Sequence, residues 1–384
     1  MNPNDFIEHD FGSLEWADNG NYCYYKPNPL LKLPELSDGT SRRFFQTIAG
    51  ISRLDGRVSA MQKQERDLIL STFTLKESTT SSAIEGTRST IGDLLKEEKE
   101  KEKDPMRAMD NQEIRNYKTA LDYGLDEISS GKEITLELML KMHSMLLDGV
   151  RGKDKRPGSF RDTSVAIGRL GDTLTTAKFV PPTVIEAEYL MKDLIKFIVE
   201  AIPNPLLKVG LTHYQFETIH PFTDGNGRIG RLLIMLILYS EDVLRHPVLY
   251  PSEYFNKNRD KYTEALYLVS AKGDFEGWFN LFLDALDSQT KRSMDLIDSL
   301  ESYRTKLYEM ADGDGRSSLT KVIDMLFENP YITAKDVTKN TKVYPATSYN
   351  LIETLVLKGV LREVTGKNRG RLYVADVILD MLEN

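Results

Sequence analysis

Cysteine is nearly missing. Cys23 stands alone in 384 residues, so no internal disulfide can form and a reducing compartment is expected. Positive charge is not in surplus: 50 lysines and arginines face 58 acidic residues, a net charge of -8, which argues against a general nucleic-acid coat or a membrane-surface binder. Long apolar runs are absent as well. The longest, Leu232 to Tyr239, falls far short of the roughly 20 residues a bilayer span requires and reads as a buried helix. The opening MNPNDFIEHDFGSLEWADNG has no basic start leading into an apolar stretch, so no signal peptide is expected and the protein reads as cytoplasmic, away from membranes. No internal repeat is visible. Neither GxxxxGK[ST], nor GxGxxG after a strand, nor HExxH occurs, which removes the P-loop, the dinucleotide fold and the zinc protease from consideration.

What remains is ample core material. Apolar residues make up 40% and charged ones 28%, and the length exceeds one compact domain, so two or three units are expected. Residues to about Leu36 read as an extended arm. Helical periodicity starts near Arg42 and runs through QERDLILSTFTLKESTTSSAIEG, with Gly86 as a C-terminal stop. The charge run Leu95 to Asp104 reads as a solvated helix end before Pro105. Further helices are expected at about 111–129, 135–147, 184–201, 206–219, 228–240, 252–271, 275–288 and 290–310. Between them, Arg156 to Pro182 carries three glycines and three prolines and looks like a loop with a short hairpin. The boundaries drawn are 1–110 for an arm and helical region, 111–290 for a core, 291–316 for a connecting helix and hinge, and 317–384 for a C-terminal unit. The hinge is ADGDGRSS, Ala311 to Ser318. The C-terminal unit reads as three helices, then a strand, a basic turn and a strand, which resembles a winged helix-turn-helix.

The chemistry concentrates in HPFTDGNGRIGR, His220 to Arg231: one histidine, one carboxylate, three glycines and two arginines. Gly225, Asn226 and Gly227 precede a helix that starts near Arg228. Orphan N–H groups at such a start, offered by a small-residue loop, suit phosphate oxygens. Arg228 and Arg231, three apart, add fixed positive charge. Asp224 beside phosphates suggests Mg²⁺, held by one protein ligand and completed by phosphate and water oxygens. His220 is the candidate general base, because its ordinary pKa near 6.5 suits proton removal at neutral pH.

HPFTDGNGRIGR is similar to the signature of the Fic (filamentation induced by cAMP) family, HPFx[DE]GNGRxxR, at every specified position. PGSFRDTSVAIG, Pro157 to Gly168, is similar to the family's PGxxRxxxVxIG segment. The resemblance covers roughly residues 30–290. It implies an all-helical core with a β-hairpin flap and a helical N-terminal region; with the winged unit read from the pattern of 317–384, the fold class expected is mainly α. It also implies transfer of AMP from ATP to a hydroxyl of a target protein or of the chain itself. Within it, His220 takes the proton from the attacking hydroxyl and Asp224 binds the metal. Gly225, Asn226, Gly227, Arg228, Ile229, Gly230 and Arg231 hold the nucleotide, with Arg231 on the γ-phosphate. The flap, Thr176, Ala177, Lys178 and Phe179 among its residues, would clamp the target's backbone by strand addition. NRDKYTEAL resembles a segment near the nucleoside, with Tyr262 followed by Thr263 where paired tyrosines are common.

Upstream, SSAIEG (Ser81 to Gly86) resembles the family's inhibitory motif [ST]xxxE[GN]. Ser81 and Glu85 lie four apart on one helix face, and the resemblance pairs Glu85 with Arg231, excluding the γ-phosphate. In the C-terminal unit, PATSYNLIETLVLKG carries a single basic residue, Lys358, while the turn GKNRGR is more basic. Residues 317–384 thus leave DNA contact, protein interaction and homodimer formation open. The reading is an autoinhibited adenylyltransferase using ATP and Mg²⁺. Its rivals are another nucleotide or AMP removal at the same site, and a DNA-binding regulator that senses nucleotide.

Overall fold

The computed structural model describes all residues except 18, 19, 170, 313–316 and 384. It is mainly helical. The N-terminal segment, expected as an extended arm, instead forms a hairpin: β1 (Gly12–Trp16) pairs antiparallel with β2 (Cys23–Pro27), Gly12 opposite Pro27 and Trp16 opposite Cys23. Cys23, Tyr24 and Tyr25 are buried there, and Tyr25 N donates to Val180 O at 2.9 Å, tying the hairpin to the flap region.

α1 (Asp38–Ser59) starts where the Ser37 hydroxyl accepts from Thr40 N. α2 (Lys63–Ile84) ends at Glu85, and Gly86 takes the positive φ of 99° that breaks the helix. Part of the charge run belongs to a short helix, α3 (Ile91–Glu97), begun by a capping box between Thr90 and Asp93. Pro105 opens α4 (Pro105–Ser129), capped by Asp104, and α5 (Leu136–Leu146) follows. After the glycine- and proline-rich loop come α6 (Val184–Val199), α7 (Pro205–Ile219) and α8 (Asn226–Ser240). Every residue of α8 from Ile229 to Leu238 is buried, so this helix is the axis of the core. The stretch expected as one helix over 252–271 is two, α9 (Ser252–Lys257) and α10 (Arg259–Lys272), because Asn258 leaves the helical region at φ -117°, ψ 35°. Conversely, the two helices expected over 275–310 are one, α11 (Phe275–Asp312); no glycine or proline interrupts Trp278 to Asp312.

The C-terminal unit comprises α12 (Ser317–Glu328), β3 (Tyr331–Thr333), α13 (Ala334–Thr341), α14 (Pro345–Leu357), β4 (Arg362–Glu363), β5 (Leu372–Val374) and α15 (Asp376–Glu383). Its strands form an antiparallel sheet in the order β3-β5-β4. Of the expected hinge, 313–316 lie outside the described residues. The unit does not stand apart. Lys76 Nζ on α2 donates to Leu382 O at 2.8 Å, Gly92 N to Glu383 Oε1 at 3.0 Å, and Asn329 Nδ2 to Leu95 O at 3.0 Å. Among the described residues, no helix is long and apolar enough to cross a membrane.

Candidate active site

α7 ends at His220, whose left-handed backbone (φ 50°, ψ 60°) turns the chain sharply while its N–H still closes onto Phe216 O at 3.0 Å. The loop that follows is braced from within. Asn226 Oδ1 accepts from Phe222 N and Asn226 Nδ2 donates to Phe222 O, both at 2.8 Å. Gly225 then takes φ 84° as the residue before α8, and no side chain caps the first N–H groups of that helix. Those donors and the helix dipole make an anion nest. The side chain of Asn226 is engaged with Phe222, so it shapes this loop, and the donors left at the start of α8 are backbone N–H groups.

His220 Nδ1–H donates to Glu217 O at 3.2 Å, a tautomer assigned from the acceptor, which leaves the Nε2 lone pair available. Burial holds the imidazole down to about 4, against weaker opposing contacts, so it is neutral at pH 7. Arg161, itself buried, fixes this turn: Nε donates to His220 O at 2.9 Å and Nη2 to Pro182 O at 2.6 Å. It thereby couples the His220 turn to the end of the 156–182 loop.

Asp224 Oδ1 pairs with Arg228 Nη2 at 3.1 Å, and the carboxylate stays 40% exposed. Its backbone oxygen accepts from His143 Nε2 at 2.9 Å. His143 stacks on Phe222 with ring centroids 3.7 Å apart and accepts Gly158 N at Nδ1, so α5 supports the loop from below. A Cβ at Gly152 would come within 2.6 Å of Asp224 Oδ2, so glycine there keeps the second oxygen accessible. Among the described residues, no group of three His, Cys, Asp or Glu side chains could hold a metal alone. One accessible carboxylate oxygen fits Mg²⁺ that takes its remaining ligands from phosphate and water.

Arg231 is 1% exposed and held on three sides: Nε donates to Ser81 Oγ at 2.8 Å, and Nη2 to Ser81 O at 3.0 Å and Glu85 Oε1 at 2.7 Å. Burial works to raise the Glu85 carboxyl, but the charge and hydrogen bond of Arg231 outweigh it and hold it below the usual range. The two residues of SSAIEG therefore meet the second arginine of the loop. Gly227 is where they press closest: a Cβ there would collide with Glu85 Oε1.

Tyr262 is buried. Its hydroxyl meets His213 Nε2 at 2.7 Å, His213 Nδ1 meets Gly230 O at 3.0 Å, and its ring stacks on Phe255 at 4.5 Å. It braces α8 from behind, while Ile229 is buried in the core. In the flap, Phe179 pairs with Ile167 through both backbone bonds (2.9 and 3.0 Å), Ala177 is buried, and Thr176 Oγ1 accepts from Thr173 N. Lys178 reaches out to Glu264 at 2.5 Å. Sequence reading missed Arg161, His143 and Glu217 as parts of this site, and His213, which with His220 lacks a third ligand for zinc, enters it through Tyr262 and Gly230 instead. Arg161 stood in the PGSFRDTSVAIG segment and was the one with a signal; Glu217 lies three positions before His220 but outside the motif.

Residues 133–238 match the Fic/DOC family and residues 46–126 match its N-terminal domain. The chain thus carries the Fic domain together with the N-terminal domain of the Fic/DOC family. Among curated proteins, it is 30% identical over 144 residues to protein adenylyltransferase fic-1 of Caenorhabditis elegans, covering 36% of this chain and 24% of that one. It is 29% identical over 193 residues to protein adenylyltransferase Fic of Drosophila grimshawi, covering 49% of this chain and 35% of that one. The chain thus spans about a third or less of these curated relatives. Among solved structures, a Fic family protein from Desulfovibrio desulfuricans G20 superposes with a TM-score of 0.55 at 19% identity, covering 90% of this chain and 98% of that one. Fic-1 of C. elegans (residues 134 to 508) gives 0.52 at 20% identity, covering 67% of this chain and 74% of that one. At these identities the likeness is one of fold.

Proposed function

We propose that the protein is an autoinhibited adenylyltransferase that moves AMP from ATP to a hydroxyl side chain of a target protein or of itself. The observation that carries this reading is the placement of His220, with Nε2 free and the ring neutral, on the turn leading into the bare N-terminus of α8. In the proposed step, Nε2 takes the proton of the attacking hydroxyl as that oxygen bonds to the α-phosphorus. The bond from the α-phosphorus to the bridging oxygen breaks, and pyrophosphate leaves. Backbone N–H groups of Gly225 to Gly227 stabilise the charge that develops, and Arg228 and Arg231 bind the outer phosphates. Asp224 would hold Mg²⁺, which when bound neutralises phosphate charge. Thr176 to Phe179, joined to Ile167 by an isolated bridge rather than a strand, would offer backbone to the target. Glu85, by holding Arg231, keeps the terminal phosphate out of place.

Names of the relatives support AMP as the group transferred. A DNA contact through residues 317–384 is not favoured, since α14 exposes Tyr349 and Leu357 beside one lysine. The test is incubation of the chain and its Glu85→Gly variant with labelled ATP, CTP, GTP and UTP in parallel, with mass spectrometry of all protein. ATP-derived label on protein supports the reading. Label from another nucleotide moves it to that donor, loss of AMP from a modified protein moves it to removal, and no transfer in either chain overturns it.

A further inference from the structure

Glu217 lies on the last turn of α7, where its carboxyl meets α8 beside Arg231. Its Oε1 is buried and has no hydrogen-bond partner among the described residues. A Cβ at Gly230 would collide with that oxygen, as one at Gly227 would collide with Glu85 Oε1. Gly227 and Gly230 are three apart, hence on one face of α8. Two carboxyls therefore press on the glycine face that begins at the anion nest, Glu85 paired with Arg231 and Glu217 within reach of its charge. Their attachments differ. Glu85 caps the C-terminus of α2 at a loop and is part-exposed, whereas Glu217 is built into a helix whose next residues form the catalytic turn.

A buried carboxyl oxygen without a partner is costly unless something supplies one. Phosphates entering this face bring acceptors and negative charge. An ionised Glu217 would repel them; a protonated one would donate to them. We propose that Glu217 is a positioning residue for the nucleotide's terminal phosphate, carrying a proton on its carboxyl and donating it as a hydrogen bond to a phosphate oxygen once Glu85 has left Arg231. This rests on the nucleotide-transfer reading above.

The surroundings agree. Burial pushes the Glu217 carboxyl up to about 7, Arg231 pulls it down, and Glu85 pushes it up. The other ionisable groups around it are Tyr262 on α10 and His213 and His220 on its own helix; burial keeps the phenol protonated and both imidazoles neutral. Replacing Glu85 by a phosphate keeps a negative neighbour in place, so the proton stays. The acid form prevails below its pKa and is lost as pH rises through it, so affinity for a triphosphate weakens on the alkaline side.

The experiment uses the full chain with Glu85→Gly and measures calorimetric binding of α,β-methylene-ATP and of ADP at about pH 6 and about pH 8.5. Glu217→Ala is expected to weaken the triphosphate analogue about tenfold at the lower pH and ADP by less than about twofold, because ADP lacks the phosphate concerned. Glu217→Gln, a neutral donor at every pH, is expected to bind the analogue like the Glu217 chain at about pH 6 and to lose the alkaline weakening. Equal weakening of both ligands, or a Gln variant as poor as Ala, overturns the proposal. Should the Ala variant not fold, a flat pH dependence in the chain that keeps Glu217 overturns it as well. If that chain binds neither ligand, the nucleotide reading itself falls, a different failure from the others.

Discussion

Arg231 Nη2 lies 2.7 Å from Glu85 Oε1, although 146 positions separate the two residues. The guanidinium is sealed from water and the carboxylate is 37% exposed, so the pair has one fixed member and one that can swing into solvent. Glu85→Gly is expected to raise transfer, including onto the chain's own hydroxyls, because a carboxylate tethered nearby competes with the phosphate at high effective concentration. Removing Glu85 leaves the buried Arg231 without its anion, so the melting temperature is expected to fall and to recover when ATP is added. Labelling by radioactive ATP checks the transfer; Arg231→Ala added to Glu85→Gly is expected to erase the gain, and unchanged labelling in Glu85→Gly would reduce SSAIEG to a helix end.

His220→Ala is expected to abolish transfer yet keep ATP binding, because the nest is made of backbone. Loss of a general base is worth about 10²–10⁴-fold in rate. The comparison is single-turnover labelling against calorimetric ATP affinity, best made in the Glu85→Gly background. Transfer at the parent rate would remove His220 from the mechanism.

Acid should unfold this protein early. Burial holds His143 to about 4, His213 to about 3 and His220 to about 4. Unfolded histidines take up protons near pH 6.5, so the unfolded state binds more protons than the native one between there and about 4. Stability therefore falls as pH drops through that window. Thermal melts between about pH 7 and about pH 5 test this, and His143→Gln, which keeps the chain neutral at that site, should flatten part of the slope.

Asp224→Asn is expected to raise the magnesium concentration needed for transfer, since a neutral amide binds the ion less well than a carboxylate. Titration of magnesium against labelling rate reads this out. Unchanged half-saturation would mean that Asp224 only steers Arg228.

Deleting 376–384 is expected to lower the melting temperature by several degrees, since it strips the partner from buried Lys76 and uncovers apolar surface on α2 and α3. An unaltered melt would show that α15 contributes no net stability.

Much of this site was legible because its chemistry is local in sequence. His220, Asp224, Gly225 and Arg231 sit in one twelve-residue stretch, and their types alone suggest a base, a metal ligand and an anion nest. Helix positions followed from apolar periodicity, as in α6, whereas α8 was legible as the apolar run Leu232 to Tyr239, buried all round through Leu238. What sequence withheld was tertiary. Glu217 looks like any solvated glutamate of a helix until α8 closes over it, and His143 finds Asp224 O only across 81 positions. The resemblance makes Asn226 a nucleotide ligand, and only the fold shows its amide bonded to the backbone of Phe222. Boundaries failed where no breaker marks them: α11 runs on past the expected gap, and Asn258 splits α9 from α10. The N-terminal hairpin and α15 were missed because each is short and takes its stability from what it packs against.

The bond from Lys76 to Leu382 O spans 306 positions. The helix that ends in Glu85 is thus fastened by the last turn of α15, so a change at the far end of the chain has a direct mechanical path to the residue that holds Arg231.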